Sequence, residues 1–382
     1  MKLKPIALAF SGLLFAGVGV GVYHVQTEYG GIGLPWVNSL DLPPFPDYPK
    51  PQTTLNETQR GEIYFESKSP YDFSVLLNRF ERAPATTGKG VLHLPEAASA
   101  SNPVPAMIIL HGSGGLAEGR EDRYAKLYTD NGYAAFVLDY YEPRGATPEL
   151  PYHLKVLTTT ESDLLVDAYS ALKLLNTHPA IDAERIGVTG YSYGGMASRY
   201  AMDPRIKAIV APDVPPFAVH VDTYGPCHQN MGKAGSTGGA YLALKGDQDA
   251  SIDLDVCRQV ETELKAYGSH VESHVFAGAG HAWENASPRR LSESSPYVSE
   301  CRFSFDDQGF PTVDGEAVST PPADASRGER ALARAMILLD VPHCIKRGYI
   351  VGRDDDTDRR AKVVLLDFLE RHLKGDYQAS TQ

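Results

Sequence analysis

The sequence predicts an α/β fold, a mostly parallel sheet with helices on both faces. Three observations predict it. From Ala106 to Phe276, apolar strand-like runs alternate with helical runs, the pattern of a parallel sheet wrapped by crossover helices. Ala106-Met107-Ile108-Ile109-Leu110 is continuous and apolar, as a strand buried on both faces must be. Gly190-Tyr191-Ser192-Tyr193-Gly194-Gly195 follows the apolar run Arg185–Thr189 and precedes a helix-like run, Met196 to Met202, which marks a sharp strand-to-helix turn.

The elements follow in order. Residues 30 to 60 are rich in Pro and Gly and read as a linker over 29–60. Gly61–Phe65 and Gly90–Leu94 read as early antiparallel strands. Ala106–Leu110 ends in a glycine-rich loop, His111-Gly112-Ser113-Gly114-Gly115. Arg120–Asn131 reads as helix and Tyr133–Leu138 as strand. Thr160–Thr177 is a helix, because Leu164, Leu165, Ala168, Leu172 and Leu175 fall at helical spacing. After the Ser192 turn, Ile206–Ala211 and Ala240–Leu244 read as strands, Leu254–Tyr267 as helix and His270–Phe276 as strand. Residues 283 to 350 break the alternation and read as an insertion. Within it, Val298–Phe305 and Phe310–Val318 are expected to pair around Asp306-Asp307-Gln308-Gly309, and Gly328–Leu339 to be helical. Asp358–Leu373 closes a domain spanning 61–376.

The N-terminus stands apart. Lys2 and Lys4 precede an uncharged run from Pro5 to Tyr23, so residues 1–28 read as a signal peptide or an uncleaved membrane anchor. Either places the rest of the chain outside the cytoplasm, periplasmic or tethered, with membrane contact only through this segment. Cys227, Cys257, Cys301 and Cys344 form an even set that suits an oxidising compartment. Four cysteines allow three pairings and the sequence does not choose among them; the pairing taken is Cys227–Cys257 with Cys301–Cys344, and free buried thiols are the alternative. The formal net charge is -12, from 36 basic and 48 acidic residues, which argues against nucleic acid as a partner. Oligomeric state is left open.

A serine held between glycines at such a turn has its hydroxyl lifted above the sheet, where it can act as a nucleophile. It needs a base to take its proton and an acid to fix the base's tautomer. Seven histidines follow Ser192. His281, in Gly278-Ala279-Gly280-His281-Ala282-Trp283 directly after a strand, is the expected base. His220 and His228 are read as loop residues. Asp249, past Gly246-Asp247-Gln248, is the expected acid and Asp213 the alternative, while Asp247 is expected to bond backbone amides. The amides of Tyr193 and Ser113 are the expected donors to an anionic oxygen. Gly114, Tyr140, Tyr141, Arg144, Tyr191 and Trp283 are candidate substrate-binding residues, Arg144 as a partner for a substrate carboxylate, with plain packing as the alternative for Arg144 and the aromatic ones.

Taken together, these motifs resemble the dienelactone hydrolase family of the α/β-hydrolase superfamily. The likeness rests on Ile108–Gly115, Leu138-Asp139-Tyr140-Tyr141, Gly190–Gly195, Gly246–Asp249 and Gly280–Trp283, over about residues 85 to 285 and the last helix. It implies an eight-stranded, mostly parallel sheet and a Ser/Cys–Asp–His triad. Two features depart from the family: Ser192 stands where dienelactone hydrolases carry cysteine, and the chain has both the N-terminal segment and the insertion. The expected activity is therefore serine-dependent cleavage of small carboxylic esters with no metal or organic cofactor. The alternatives are a peptidase or amidase on the same fold, or an inactive binding module at the envelope.

Overall fold

The computed structural model describes residues 39–375 apart from 118, 232–234, 299–300 and 319; the N-terminal segment 1–28 lies outside the described residues. Among the described residues no helix is long and apolar enough to cross a membrane. Nine strands come first along the chain: β1 (Gly61–Lys68), β2 (Ala85–His93), β3 (Val104–Leu110), β4 (Ala134–Asp139), β5 (Ile181–Tyr191), β6 (Val219–Thr223), β7 (Gln229–Asn230), β8 (Ala240–Gly246) and β9 (Val271–Phe276). All but β7 form one eight-stranded sheet of order β1-β2-β4-β3-β5-β6-β8-β9. β1 and β2 pair antiparallel, β2 meets β4 antiparallel, and the other pairs are parallel. This is the α/β-hydrolase sheet.

Successive side chains of a strand point to opposite faces, so a central strand must serve two cores. In β3, Ala106, Ile108 and Leu110 join one cluster while Met107 and Ile109 join the other. Helices α1 (Phe73–Asn78), α2 (Glu121–Asp130), α3 (Tyr152–Thr158), α4 (Glu161–Leu175), α5 (Tyr193–Tyr200), α6 (Pro204–Val210) and α7 (Leu254–Ala266) follow in order. α4, α5 and α6 cover the first face; α2 covers the second, together with the helix Asp355–Leu369 near the C-terminus.

One expectation fails here. Ile206–Ala211 is not a strand: it lies largely within α6, started by the Asp203 side chain accepting from the Arg205 amide, with Pro204 at the first turn. The sixth strand along the chain is β6, which carries His220, so His220 is a strand residue. β6 has no apolar run, and its buried polar side chains are held by partners distant in sequence: His220 Nδ1 lies 2.8 Å from the Ser198 carbonyl, and Asp222 binds Arg199 and the Tyr241 hydroxyl.

The insertion forms β10 (Arg290–Val298), β11 (Phe303–Phe305), β12 (Pro311–Val313), β13 (Glu316–Ala317), helix α8 (Arg327–Asp340) and β14 (Ile345–Val351), with α9 (Asp355–Leu369) following it. β11 and β12 pair antiparallel, as the hairpin expectation requires, but Val298 belongs to β10, which pairs with β14. Disulfides join Cys227 to Cys257 and Cys301 to Cys344, the expected pairing. The proline-rich segment lies against the start of α8: the Leu40 amide donates to the Gly328 carbonyl at 3.0 Å, and Arg327 stacks over Phe45.

Candidate active site

β5 ends at Tyr191 and α5 begins at Tyr193, so Ser192 alone makes the turn. Its backbone sits at φ 54°, ψ -113°, a strained conformation for a residue with a side chain. The flanking glycines are obligatory. A Cβ on Gly190 would run into the Gly194 carbonyl, and one on Gly194 would run into the carbonyls of Leu110 and His111. The turn is tied to the sheet by the Ser192 amide, which donates to the Thr223 carbonyl at 2.9 Å.

Three expected residues meet here. His281 Nε2 lies 2.9 Å from Ser192 Oγ, and His281 Nδ1 lies 2.6 Å from Asp249 Oδ2. A carboxylate can only accept, so Nδ1 carries the proton and Nε2 is left to accept from the serine hydroxyl. Asp249 is buried and its other oxygen accepts from the Ser251 amide at 3.0 Å and the Ser251 hydroxyl at 2.5 Å. Ser251, which the sequence reading missed, thus fixes the carboxylate's orientation. Asp247 accepts from the Gly278 amide at 2.7 Å, as expected, and Asp213 is exposed beyond α6.

The His281 loop is held by the insertion. Its amide donates to the Ile350 carbonyl at 2.7 Å, and its carbonyl accepts from the Gly352 amide at 2.9 Å. A Cβ on Gly280 would lie 2.6 Å from Ile350 Cγ2, so the loop closes on β14 only because Gly280 has none. Tyr224 and Tyr349 flank the imidazole, with ring centroids at 4.6 and 5.4 Å.

Tyr193 is the first residue of α5, and its amide is one of the four that a helix start leaves without an intrahelical acceptor. The loop after β3 lies against the serine: a Cβ on Gly112 would stand 3.6 Å from Ser192 Cβ. Ser113 lines the cavity beside Ser192 and its hydroxyl lies 3.0 Å from that of Tyr152. Two tyrosines expected to touch substrate instead support this loop from beneath. The Tyr140 hydroxyl donates to the His111 carbonyl at 2.6 Å, and the Tyr141 hydroxyl to the Ser113 carbonyl at 2.8 Å.

Arg144, Tyr191 and Trp283 also prove to be framework. Arg144 is fully buried, paired with Asp167 and Asp163. Tyr191 is buried against Tyr124, and Trp283 against Tyr224 and Phe276. Gly114 is exposed and its carbonyl accepts from Lys155. Strand position predicts that these residues stand at the rim, but not which way their side chains turn.

The cavity, of about 300 Å³, is lined by Ser192, Ser113 and His281 from the sheet edge and by many insertion residues, among them Tyr297, Phe303, Phe305 and Tyr349. Glu161 and Arg334 also reach it. Two groups of ligand-type side chains occur among the described residues, Cys301/His343/Cys344 and His270/Glu272/His372, and neither belongs to this cavity. The first has its cysteines in a disulfide, and in the second Glu272 is gripped by both terminal nitrogens of Arg371.

Comparison with known proteins follows the same lines. A Bradyrhizobium protein described as a probable 2-oxo-3-(5-oxofuran-2-ylidene)propanoate lactonase is 23% identical over 194 residues, covering 47% of this chain and 73% of its own. Among solved structures, one from Klebsiella pneumoniae assigned to the dienelactone hydrolases is 21% identical, with a TM-score of 0.41, covering 58% of this chain and 88% of that one. Butyrate-bound esterase 2 of Thermogutta terrifontis is 15% identical, with a TM-score of 0.42, covering 51% and 80%. The profile of the dienelactone hydrolase family matches residues 89–304, more than half of the 382-residue chain. With its sheet, its strand-end loops and this match, the chain belongs to the dienelactone hydrolase family and is a hydrolase.

Proposed function

We propose that this hydrolase is an exported serine esterase that cleaves carboxylic esters through an acyl-enzyme. The observation that carries the reading is the hydrogen-bonded chain Ser192–His281–Asp249, with 2.9 and 2.6 Å links, at a strained strand-to-helix turn. Ser192 attacks the ester carbonyl while His281 Nε2 takes its proton. Asp249 keeps His281 in the productive tautomer and stabilises the imidazolium. The tetrahedral oxygen is received by the amides of Tyr193 and Ser113, where loss of one donor typically costs roughly 3–4 kcal/mol. His281 then gives its proton to the leaving alcohol, and water, activated by the same imidazole, releases the acid. The ester class also fits the lactonase named among the relatives, since a lactone is a cyclic ester.

Export is supported by the Lys2/Lys4 and apolar N-terminal pattern and by two disulfides. Labelling with a fluorophosphonate, peptide mapping and a panel of p-nitrophenyl esters test the reading. Label on Ser192, lost in Ser192→Ala together with ester turnover, is expected. Absence of label on Ser192, or turnover of peptide amides without esters, would overturn it.

A further inference from the structure

The cavity is walled mainly by carbon. Phe73, Val156 and Met196 contribute from the domain, and Val298, Phe303 and Ile337 from the insertion. The charged side chains that reach it arrive as closed pairs. Arg334 of α8 places its two terminal nitrogens on the two oxygens of Glu161, at 3.1 and 2.8 Å, and Glu161 also accepts from the Tyr193 hydroxyl at 2.7 Å. Burial pushes the Glu161 carboxyl up, but the Arg334 charge and these bonds outweigh it and hold it down to about 2. Arg330 is bonded to Asp72 and to the carbonyls of Pro322, Ala323 and Ala325. His228, the remaining basic side chain in the lining besides His281, is pushed down to about 4 by burial and by Arg199, and is neutral near pH 7. Lys155 donates to the carbonyls of Gly114 and Pro148 and lies outside the lining.

The consequence is a wall whose cations are already spent. A bidentate guanidinium–carboxylate pair uses the fork that would otherwise grip a substrate carboxylate. Asp249 adds a buried negative charge behind His281, which repels a second anion. An anionic acyl group entering here would lose its hydration and find no uncommitted cation in the lining. An alkyl or aromatic group would lose only water of low value to it.

Building on the serine-esterase reading above, we propose that this site takes uncharged esters with a predominantly hydrocarbon acyl group and rejects esters whose acyl group ends in a carboxylate, and that the Glu161–Arg334 pair determines this choice. Glu161 sits at the start of α4 and Arg334 on the insertion, so the pair joins both walls of the cavity. It is a specificity-determining element, distinct from the groups that touch the reacting atoms.

The test compares p-nitrophenyl hexanoate with the p-nitrophenyl monoester of adipic acid at pH 7, two acyl groups of equal carbon count of which only the second ends in a carboxylate. For the unaltered protein, kcat/KM for the adipate ester is expected to be lower by roughly 100-fold or more. Glu161→Gln leaves Arg334 uncompensated and should shrink that ratio by roughly 10-fold; Arg334→Gln leaves Glu161 uncompensated and should widen it. The ratio is measured within one preparation, so it does not depend on how much of a variant is folded, and opposite shifts cannot arise from partial unfolding. Adipate turnover within about threefold of hexanoate, or shifts of the same sign in both variants, would overturn the proposal while Ser192 still labels with a fluorophosphonate. Absence of that label would overturn the esterase reading and this proposal with it.

Discussion

Replacing Arg144 by Met separates two roles that strand position alone cannot distinguish. A guanidinium at the rim of the sheet could bind a substrate carboxylate, but here it is fully buried. Its Nη1 and Nη2 reach Asp167 at 2.5 and 3.0 Å, and Nε lies 3.3 Å from Ser69 Oγ and 3.8 Å from Asp163. Further bonds run to the carbonyls of Tyr140 and Lys68. The group therefore fastens β1 to α4. Burial alone would push the Asp167 carboxyl up; Arg144 opposes that, and removing it leaves Asp167 charged in a dry interior with the Ser67 hydroxyl as its remaining partner, while Asp163 keeps the Ser69 hydroxyl and the Tyr71 and Thr160 amides. Breaking a buried pair from one side costs about 3–5 kcal/mol. At about 1–2 °C per kcal/mol for a chain of this size, the melting temperature should fall by roughly 3–10 °C. Adding Asp167→Asn to Arg144→Met should return about half of the loss, because one stranded charge is then removed. Differential scanning fluorimetry and p-nitrophenyl ester kinetics on the same samples decide it, with kcat/KM at 25 °C expected to stay within about twofold. A variant that melts normally but loses turnover would refute the structural account and return Arg144 to substrate binding.

Four further outcomes follow from the same geometry. Asp249→Asn, which leaves His281 Nδ1 without its carboxylate acceptor, should lower kcat by about 10⁴, the cost of the equivalent change in a serine-protease triad; a loss below about tenfold would remove Asp249 from its proposed role. Gly194→Ala places a methyl against the Leu110 and His111 carbonyls and should destabilise the fold by roughly 3 kcal/mol, read from urea unfolding midpoints. Cys301→Ser with Cys344→Ser opens a closure of sequence separation 43, worth about 4 kcal/mol in chain entropy, and should raise KM for p-nitrophenyl hexanoate, because the insertion supplies much of the apolar cavity wall. Glu161 has a folded pKa held below its unfolded value of about 4.3, so its contribution is present above that pH and lost as pH falls toward 2; the melting temperature of the unaltered protein should drop more steeply between pH 5 and pH 3 than that of Glu161→Gln.

What was legible in the sequence is what steric necessity forces into local composition. Gly190 and Gly194 are required by a turn with φ 54° at Ser192, and Ala106–Leu110 must be apolar because it faces two cores. Strand ends of a parallel sheet converge, so Ser192, Asp249 and His281 could be brought together in thought before any contact was seen. What was illegible is set by partners distant in sequence. β6 carries His220, Asp222 and Thr223 in the core, where Ser198 bonds His220 Nδ1 and Arg199 and Tyr241 bond Asp222, and no local pattern signals that. Residues 206–210 have the apolar character of a short strand, and only the Asp203-Pro204 start marks them as helix. Tyr140 and Tyr141 follow the end of β4, as the sequence predicts, yet their hydroxyls bond the loop's carbonyls instead of opening to substrate.

The insertion had no assigned role in the sequence, and the structure ties it to the chemistry at two points. Ser192 and Asp249 are positioned by strand ends of the main sheet, but the loop carrying His281 has Ala282 at φ 55°, a conformation that persists only when its surroundings over-determine it. Those surroundings are the end of the insertion and the turn after it: the Ile350 carbonyl, the Gly352 amide and the Asp354 amide, which donates to the Trp283 carbonyl at 2.8 Å. The same insertion carries Arg334, which neutralises Glu161 in the cavity wall. One segment thus fixes the proposed base and removes charge from the site beside it. A change in the insertion that disturbs β14 should therefore act on kcat through His281, whereas one confined to α8 should act on substrate choice through Arg334, because the Ile350 carbonyl holds the His281 amide while Arg334 bonds Glu161.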